Sequence, residues 1–220
     1  MGPVAERNGL LAKVCGMTRA VDVQAALEAG ADYVGFVSFA PSPRHLTDAQ
    51  ILALGAPLEG KGPKGLLVTV DRPRSGVESL LAQSALSGVQ LCGSEAPSDW
   101  ARAPFQVFRR ISAGPGAAEE MLAWSAIAEA FVVDHPAAPG GTGERVPVDD
   151  VLAAVAAGPV FLAGGLGPEV LENGLDPRLL EAGLLGVDAS SGLERAPGTK
   201  SRTSIQRFVS AAHSAPRMTR

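Results

Sequence analysis

The sequence predicts a single (β/α)8 TIM barrel, an α/β fold in which eight parallel strands form a closed core inside a ring of helices. Three observations favour this fold. Eight short apolar runs alternate with helix-like segments, the 220 residues suit one domain with a full core, and neither an internal repeat nor a linker divides the chain. A doubly wound open sheet is the structural alternative, although that fold normally has fewer strands. We therefore expect one barrel domain over residues 1–220.

Near-continuous apolar runs mark the eight predicted strands, as expected of strands buried on both faces of a parallel sheet. In chain order they cover residues 10–14, 33–38, 65–70, 88–91, 105–109, 130–133, 160–163 and 186–188. The segment 1–9 contains Glu6 and Arg7 and lacks such a run, so we expect a disordered or irregular N-terminal extension there.

Helix-like segments fill most of the spaces between these runs. They cover residues 20–29, 47–54, 75–86, 119–129, 148–156 and 203–213. Gly30 directly after the first of them is a typical C-cap. The spacer 94–102 allows only a short helix, and the spacer 171–185 is interrupted by Gly174, Pro177 and Gly183. The sequence therefore predicts an irregular helix 7.

Composition excludes several classes of protein. The formal net charge of -4 gives no broad electrostatic attraction to nucleic acid, and no apolar run approaches the ~20 residues that span a bilayer. Residues 1–9 lack the apolar region of a signal peptide. A hydrophobic share of 46% with 19% charged residues indicates a globular chain. We expect a cytoplasmic protein with no nucleic-acid or membrane partner.

Three strand ends carry reactive side chains, and the carboxyl ends of the strands form the active site of a barrel enzyme. Cys15 ends the first run beside a glycine, where a thiol can be held as a thiolate, although a buried cysteine is often only a small apolar side chain. Arg44 follows the second run on a loop that two prolines stiffen, so its guanidinium is suited to binding a carboxylate or a phosphate. The alternative is a solvated surface arginine. Asp134 follows the sixth run, where burial favours the protonated carboxyl of a general acid. The alternative is that its side chain only caps the loop.

Small residues follow the last three runs. They form the segments 140–143 (GGTG), 163–166 (AGGL) and 189–192 (ASSG). Such loops let backbone N–H groups approach an anion closely, and the loops after strands 7 and 8 are the usual phosphate site of barrel enzymes. The residues alone therefore predict a phosphorylated substrate without naming it.

In their order along the chain, these motifs resemble the phosphoribosylanthranilate isomerase family. The matching segments are 13–18 (KVCGMT), 30–36 (GADYVGF), 42–44 (SPR), 90–91 (QL), 133–134 (VD), 140–143 (GGTG), 163–166 (AGGL), 186–194 (GVDASSGLE) and 197–200 (PGTK). They extend from about residue 12 to residue 208, nearly the whole chain. Their combination is specific, although no single segment is.

The resemblance implies an enzyme of tryptophan biosynthesis that uses no metal or organic cofactor. It would convert N-(5'-phosphoribosyl)anthranilate to 1-(2-carboxyphenylamino)-1-deoxyribulose 5-phosphate by an Amadori rearrangement. The resemblance assigns the general base to Cys15 and the general acid to Asp134, and it places Arg44 on the anthranilate carboxylate and Asp188 on the sugar hydroxyls. The phosphate would be held by Gly141, Gly143, Gly164, Gly165, Ser191 and Gly192. The expected partner is this phosphorylated small molecule, and we expect a monomer.

The chain departs from the family pattern at several positions. Cys92 occupies the place of a histidine that usually follows the Gln-Leu pair, and Ser201 replaces an aspartate. The segment 144–148 (ERVPV) lacks the usual lysine and the later Phe-Asp-Trp, and the segment 167–170 lacks the usual asparagine. Because Cys15 and Cys92 would end strands on opposite sides of a barrel, too far apart for a disulfide, we expect two free thiols.

Two other functions stay open on the sequence alone. A bifunctional isomerase would also act on the related aminoaldose of histidine biosynthesis. That type uses a pair of aspartates and resembles a repeated half-barrel, whereas the first strand here ends in Cys15. A non-catalytic barrel would bind a sugar phosphate or anthranilate without converting it. Turnover assays with the two aminoaldoses discriminate among the three functions.

Overall fold

The computed structural model of the protein describes residues 9–60, 62–136 and 145–216. Eight parallel strands close into a barrel in which each strand pairs with its neighbours in sequence and the last pairs with the first. These strands are β1 (Leu11–Val14), β2 (Tyr33–Ser38), β3 (Lys64–Thr69), β4 (Leu86–Leu91), β5 (Gln106–Ser112), β6 (Ala130–Asp134), β7 (Val160–Leu162) and β8 (Gly186–Ala189). The predicted fold class is confirmed. Of the predicted N-terminal extension only Gly9 is described, and it forms a bridge with Pro216.

Helices connect the strands of the barrel, and the last helix follows the final strand. They are α1 (Ala20–Ala29), α2 (Asp48–Gly55), α3 (Arg74–Ala82), α4 (Pro97–Trp100), α5 (Ala117–Trp124), α6 (Val148–Ala157), α7 (Pro168–Glu172), α8 (Pro177–Glu181) and α9 (Arg202–Ser214). The predicted bounds of α1 are confirmed, with Gly30 in the left-handed conformation after it. The irregular helix 7 is confirmed as two short helices, α7 and α8, separated by a turn at Gly174. None of the described helices has the length and apolar character needed to cross a membrane.

Two predicted helices are wrong at their C-terminal ends. The helix predicted over 75–86 stops at Ala82, because Leu86 belongs to β4 and fills the space beside Gly65, where a Cβ would lie 2.4 Å from its side chain. The helix predicted over 119–129 stops at Trp124, because the chain must turn toward β6, and Glu129 N already donates to Val107 O at 2.8 Å. In both places, packing against the barrel overrides the local helical pattern.

One predicted strand is too short. We predicted that the fifth strand ends at residue 109, but β5 continues to Ser112, because its last residues pair with Val132, Val133 and Asp134 of β6. The bounds of the other strands differ from the predicted ones by one or two residues at most. The extension brings Arg110 toward the carboxyl end of the barrel.

Two apolar layers stabilise the barrel. Inside it, the rings of Tyr33, Phe108 and Phe161 pack with centroids 5.1 to 5.6 Å apart. These rings lie near the starts of their strands, so they close the amino-terminal end and leave the carboxyl end open. The outer layer lies between strands and helices and includes Trp100 and Trp124, each 2% exposed. Both tryptophans are therefore core residues.

A hairpin after β8 was not predicted. Its strands are β9 (Glu194–Ala196) and β10 (Thr199–Lys200). The hairpin is tied to the start of α1, because Thr18 Oγ1 donates to Gly198 O and the buried Asp22 accepts from Lys200 N at 3.2 Å. These two contacts hold the β9–β10 hairpin at the open end of the barrel.

Candidate active site

A cavity of about 680 Å³ opens at the carboxyl end of the barrel, where a barrel enzyme carries its active site. It is lined by most of the predicted site residues, namely Cys15, Arg44, Asp134, Gly164, Gly165, Asp188 and Ser191. Gly192 is not among the lining residues, and Gly141 and Gly143 lie outside the described residues. Cys92 borders the same cavity, and both cysteines are free thiols.

Cys15 follows β1, and its thiol fills a gap left by Gly35 on β2. A Cβ atom at Gly35 would approach Cys15 Sγ to 2.8 Å. The carbonyl oxygen of Gly35 also holds the next turn, because it accepts from Gly16 N and Met17 N, each at 2.9 Å. Burial raises the pKa of the Cys15 thiol, and the Lys13 ammonium opposes this rise. The resting thiol is therefore neutral, with a cation beside it that favours ionisation.

Lys13 is fully buried on β1 and forms an ion pair with Asp188 on β8. Lys13 Nζ donates to Asp188 Oδ2 at 2.9 Å. Burial disfavours the charged amine, but the ion pair with Asp188, together with the contact to Cys15, outweighs burial and raises the pKa of Lys13. Asp188 Oδ1 is buried and has no hydrogen-bond partner among the residues that the structure describes. Lys13 thus holds one carboxylate oxygen, and the other is left for a ligand.

Arg44 lies after β2 and is held by Glu194 of the hairpin. Arg44 Nε and Nη2 donate to the two carboxylate oxygens of Glu194 at 2.8 and 2.7 Å. Lys200 Nζ donates to the same carboxylate at 2.8 Å. Arg44 Nη1 forms no hydrogen bond with another described residue. The guanidinium is therefore fixed along one edge and can bind an anion at its end.

The pattern predicted that Asp134 follows the sixth strand. In the structure it is the last residue of β6. Its Oδ1 accepts from His135 N at 2.8 Å, and its Oδ2 lies 3.6 Å from Arg110 Nε. The side chain is 25% exposed, so the burial that we expected for a general acid is only partial. Two strands separate β6 from β1 around the barrel. Asp134 and Cys15 therefore lie on different sides of the cavity.

The loops after β7 and β8 form a rim of small residues at the cavity mouth. Gly164 and Gly165 adopt φ angles of 81° and 64°, in the left-handed region that favours glycine. Ser191 begins a short 3-10 helix. A Cβ at Gly192 would lie 2.0 Å from Leu166 O, so the backbones of the two loops touch. With no large side chains in the way, an anion can approach this backbone closely.

Comparison with known proteins identifies the family. The family model described as N-(5'-phosphoribosyl)anthranilate (PRA) isomerase matches residues 12–211. This chain belongs to the PRA isomerase family. The isomerase of Azorhizobium caulinodans is 36% identical over 214 residues, which cover 92% of this chain and 91% of the relative. That of Cellvibrio japonicus is 36% identical over 208 residues, with 91% and 92% covered. The resemblance inferred from the motifs is confirmed.

Solved PRA isomerase structures share this fold. The crystal structure of the enzyme from Thermus thermophilus is 29% identical and superposes with a TM-score of 0.79, covering 92% of this chain and 98% of the other. A PRA isomerase in complex with reduced 1-(o-carboxyphenylamino)-1-deoxyribulose 5-phosphate is 23% identical, with a TM-score of 0.77 and the same coverage. The second comparison shows the fold alone.

Four charged residues in or behind the cavity wall were not predicted from the sequence. They are Lys13, Arg110, Glu194 and Lys200. Lys13 could have been found, because it lies two residues before Cys15 and a strand has a period of two. Arg110 lies two residues after Phe108, which faces into the barrel, so the same period predicts that Arg110 faces inward as well. The two hairpin residues lie in the matching segments 186–194 and 197–200, but nothing in those segments indicates their contact with Arg44, which depends on how the hairpin folds back.

Proposed function

We propose that this chain catalyses the Amadori rearrangement of N-(5'-phosphoribosyl)anthranilate to 1-(2-carboxyphenylamino)-1-deoxyribulose 5-phosphate in tryptophan biosynthesis. Cys15 is the general base and Asp134 the general acid in this proposal. One observation carries it: a thiol and a carboxylate line different sides of one cavity, beside a rim of small residues suited to a phosphate. Among the described residues no group of three His, Cys, Asp or Glu side chains forms a metal site.

The reaction begins when the Asp134 carboxyl gives its proton to the ring oxygen of the sugar. The C1–O bond breaks, and the nitrogen lone pair forms the C1=N bond of a protonated Schiff base. The Cys15 thiolate then removes the proton from C2, the C1=C2 bond forms, and the imine electrons return to nitrogen. C1 next gains a proton while the C2 hydroxyl loses one, which gives the ketone. Two protons are added and two are removed, so the rearrangement needs no co-reactant.

A thiolate is strong enough for this step because the substrate itself becomes acidic. The protonated Schiff base withdraws electrons from C2 and weakens its C–H bond. The same positive charge, once formed in the cavity, favours the ionised form of Cys15, as Lys13 already does. The base is therefore activated by the intermediate that it must deprotonate.

The remaining groups of the cavity fit the other parts of the substrate. Arg44 Nη1 is available to the anthranilate carboxylate. Asp188 Oδ1, which has no partner within residues 9–60, 62–136 and 145–216, can accept a hydrogen bond from a sugar hydroxyl. The phosphate would lie on the rim, close to the backbone of Gly164, Gly165, Ser191 and Gly192. Contacts with Gly141 and Gly143 stay a prediction.

Replacing Arg44 by lysine tests the carboxylate contact. We expect Arg44→Lys to raise KM about tenfold or more, because the loss of one charge-assisted hydrogen bond costs about 1.5–3 kcal/mol. The effect on kcat should be smaller, since Arg44 is not part of the proton transfers. Steady-state kinetics measure both constants, and the exposed Arg195→Lys on the same hairpin is the matched control. An unchanged KM in the Arg44 variant contradicts the assignment.

Gly35→Ala tests the placement of the thiol. The added Cβ would meet Cys15 Sγ at 2.8 Å, so the thiol must move, and a displacement of about 1 Å can cost about 10²-fold in rate. We expect a folded variant with kcat lowered by about that factor, as measured by steady-state kinetics together with thermal unfolding. Gly55→Ala is the control, because its Cβ approaches only the flexible Leu86 side chain, at 3.2 Å. A folded Gly35→Ala with normal kcat would show that the thiol position is unimportant.

The pH dependence follows from the ionisation of the base. Burial raises the pKa of the Cys15 thiol, and only the thiolate accepts the C2 proton. Asp134 must hold a proton in the same complex in which Cys15 is ionised, so the active enzyme carries one proton on this pair, as many as the resting enzyme with its neutral thiol. Loss of that proton, as the pH rises through the raised pKa of the thiol, leaves Asp134 without a proton to give, so kcat/KM should fall above the ordinary thiol pKa of about 8.5. A pH–rate profile checks this. A kcat/KM that still rises between about pH 8 and pH 10 contradicts it.

The proposed function is tested by following the fluorescence of the anthranilate ribotide as it is consumed by the purified chain. We expect turnover in buffer that contains a chelator and no added cofactor. Binding of the ribotide without turnover would overturn the proposal in favour of a non-catalytic barrel. Comparable turnover of the histidine-pathway aminoaldose would favour the bifunctional isomerase.

A further inference from the structure

We propose that Lys13 is a positioning residue of this reaction, which holds the Asp188 carboxylate toward the sugar and stabilises the thiolate form of Cys15. The inference rests on the proposed function, because it concerns the same base and the same sugar-binding carboxylate. Lys13 begins the matching segment 13–18, but neither the resemblance nor the proposed proton transfers assign it a role.

The burial of Lys13 needs an explanation. A lysine is almost never fully buried unless its charge is paired, because removing an ammonium from water is costly. Lys13 has no exposed surface, yet its counter-ion Asp188 keeps one oxygen without a described partner. An arrangement made only for stability would satisfy both carboxylate oxygens. The ion pair therefore fixes the carboxylate and leaves its second oxygen for a ligand.

The strands bring the three groups together. Lys13 and Cys15 are two residues apart in the direction of β1, so their side chains lie on the same face. The residue paired with Lys13 across the β1–β8 register is Asp188. The ammonium thus contacts both the carboxylate and the thiol.

The charges around Cys15 come from several elements. Lys13 on β1 and Lys200 on β10 favour the thiolate, and Asp188 on β8 disfavours it. Arg44 after β2 and the Cys92 thiol after β4 also interact electrostatically with Cys15. Lys13 has the largest effect of these charges, larger than that of Asp188. Loss of the ion pair as a whole should therefore still destabilise the thiolate.

The test is the pH dependence of Cys15 alkylation by iodoacetamide, measured in a Cys92→Ser background so that a single thiol reacts. Lys13→Met keeps the length of the side chain without its charge, but it leaves Asp188 buried and unpaired. The double variant Lys13→Met/Asp188→Asn removes both charges and keeps the test valid if the single variant does not fold. Lys64→Met, at the other end of the barrel, is the matched control. Circular dichroism and thermal unfolding establish that each variant is folded.

We expect both Lys13 variants to shift the alkylation midpoint upward by one pH unit or more, which corresponds to about tenfold slower alkylation near pH 7. The pH profile of kcat/KM should move with it, and Lys13→Arg should restore part of the wild-type profile. Folded Lys13 variants with an unchanged alkylation midpoint would overturn the inference and leave the proposed function intact. A wild-type chain that does not convert the ribotide would overturn the proposed function instead.

Discussion

Cys15→Ser is expected to lower kcat by about 10²–10⁴-fold, the usual contribution of a positioned general base. A serine hydroxyl occupies a similar volume but is a far weaker acid than a thiol, so almost none of it is ionised near neutral pH. Lys13 and the protonated Schiff base favour an anion at this position, but they cannot offset so large a difference. Steady-state turnover of the ribotide measures the effect, and KM should change little.

The second cysteine provides a matched control for this variant. Cys92 borders the same cavity, and burial raises the pKa of its thiol to about 12. Its Sγ interacts with Gln90 Nε2 at 3.4 Å. We expect Cys92→Ser to keep kcat within a few-fold of wild type. Near-normal kcat in Cys15→Ser, or an equal loss in both variants, would show that the base is misassigned.

Asp134→Asn should also lower kcat by about 10²–10⁴-fold, because an amide cannot give a proton to the ring oxygen. The asparagine keeps the size of the side chain and can still accept from His135 N, the bond that now orients Asp134 at 2.8 Å. The fold should therefore be retained, and ring opening should become rate-limiting. Steady-state kinetics of the folded variant measure the loss.

Asp99→Asn is the control for the acid, since Asp99 is exposed on α4, away from the cavity. It should have wild-type kinetics. The assignment is contradicted if Asp134→Asn retains most of its kcat, and Arg110, 3.6 Å from the carboxylate, would then be the next candidate for contact with the ring oxygen.

The parts of the fold that depend on local pattern could be predicted from the sequence. Buried parallel strands need near-continuous apolar runs, so the strands of the barrel were found with small errors at their ends. Strand ends in a barrel converge on one mouth, so Cys15 and Asp134 could be placed in one site before their geometry was known. The two glycines after β7 were recognised for the same reason, because small residues at this mouth indicate an anion site.

The parts that depend on distant contacts could not be predicted. Helix α3 ends early because Leu86 packs beside Gly65, and nothing within the helix signals that contact. The pairing of Arg44 with Glu194 joins residues far apart in sequence through an unpredicted hairpin. Such contacts are fixed by the closed barrel as a whole, so the electrostatics of the site emerged only with the structure.

A crystal structure with the reduced product analogue bound tests the central claim most directly, because it places both proton-transfer groups relative to the sugar. We expect Cys15 Sγ to lie about 3–3.5 Å from C2, with the Asp134 carboxylate on the opposite side of the sugar, beside the former ring oxygen. The phosphate should lie on the glycine rim after β7 and β8, and the aromatic carboxylate at Arg44. A complex in which Cys15 points away from C2, or in which both groups lie on one side of the sugar, would contradict the roles of Cys15 as base and Asp134 as acid.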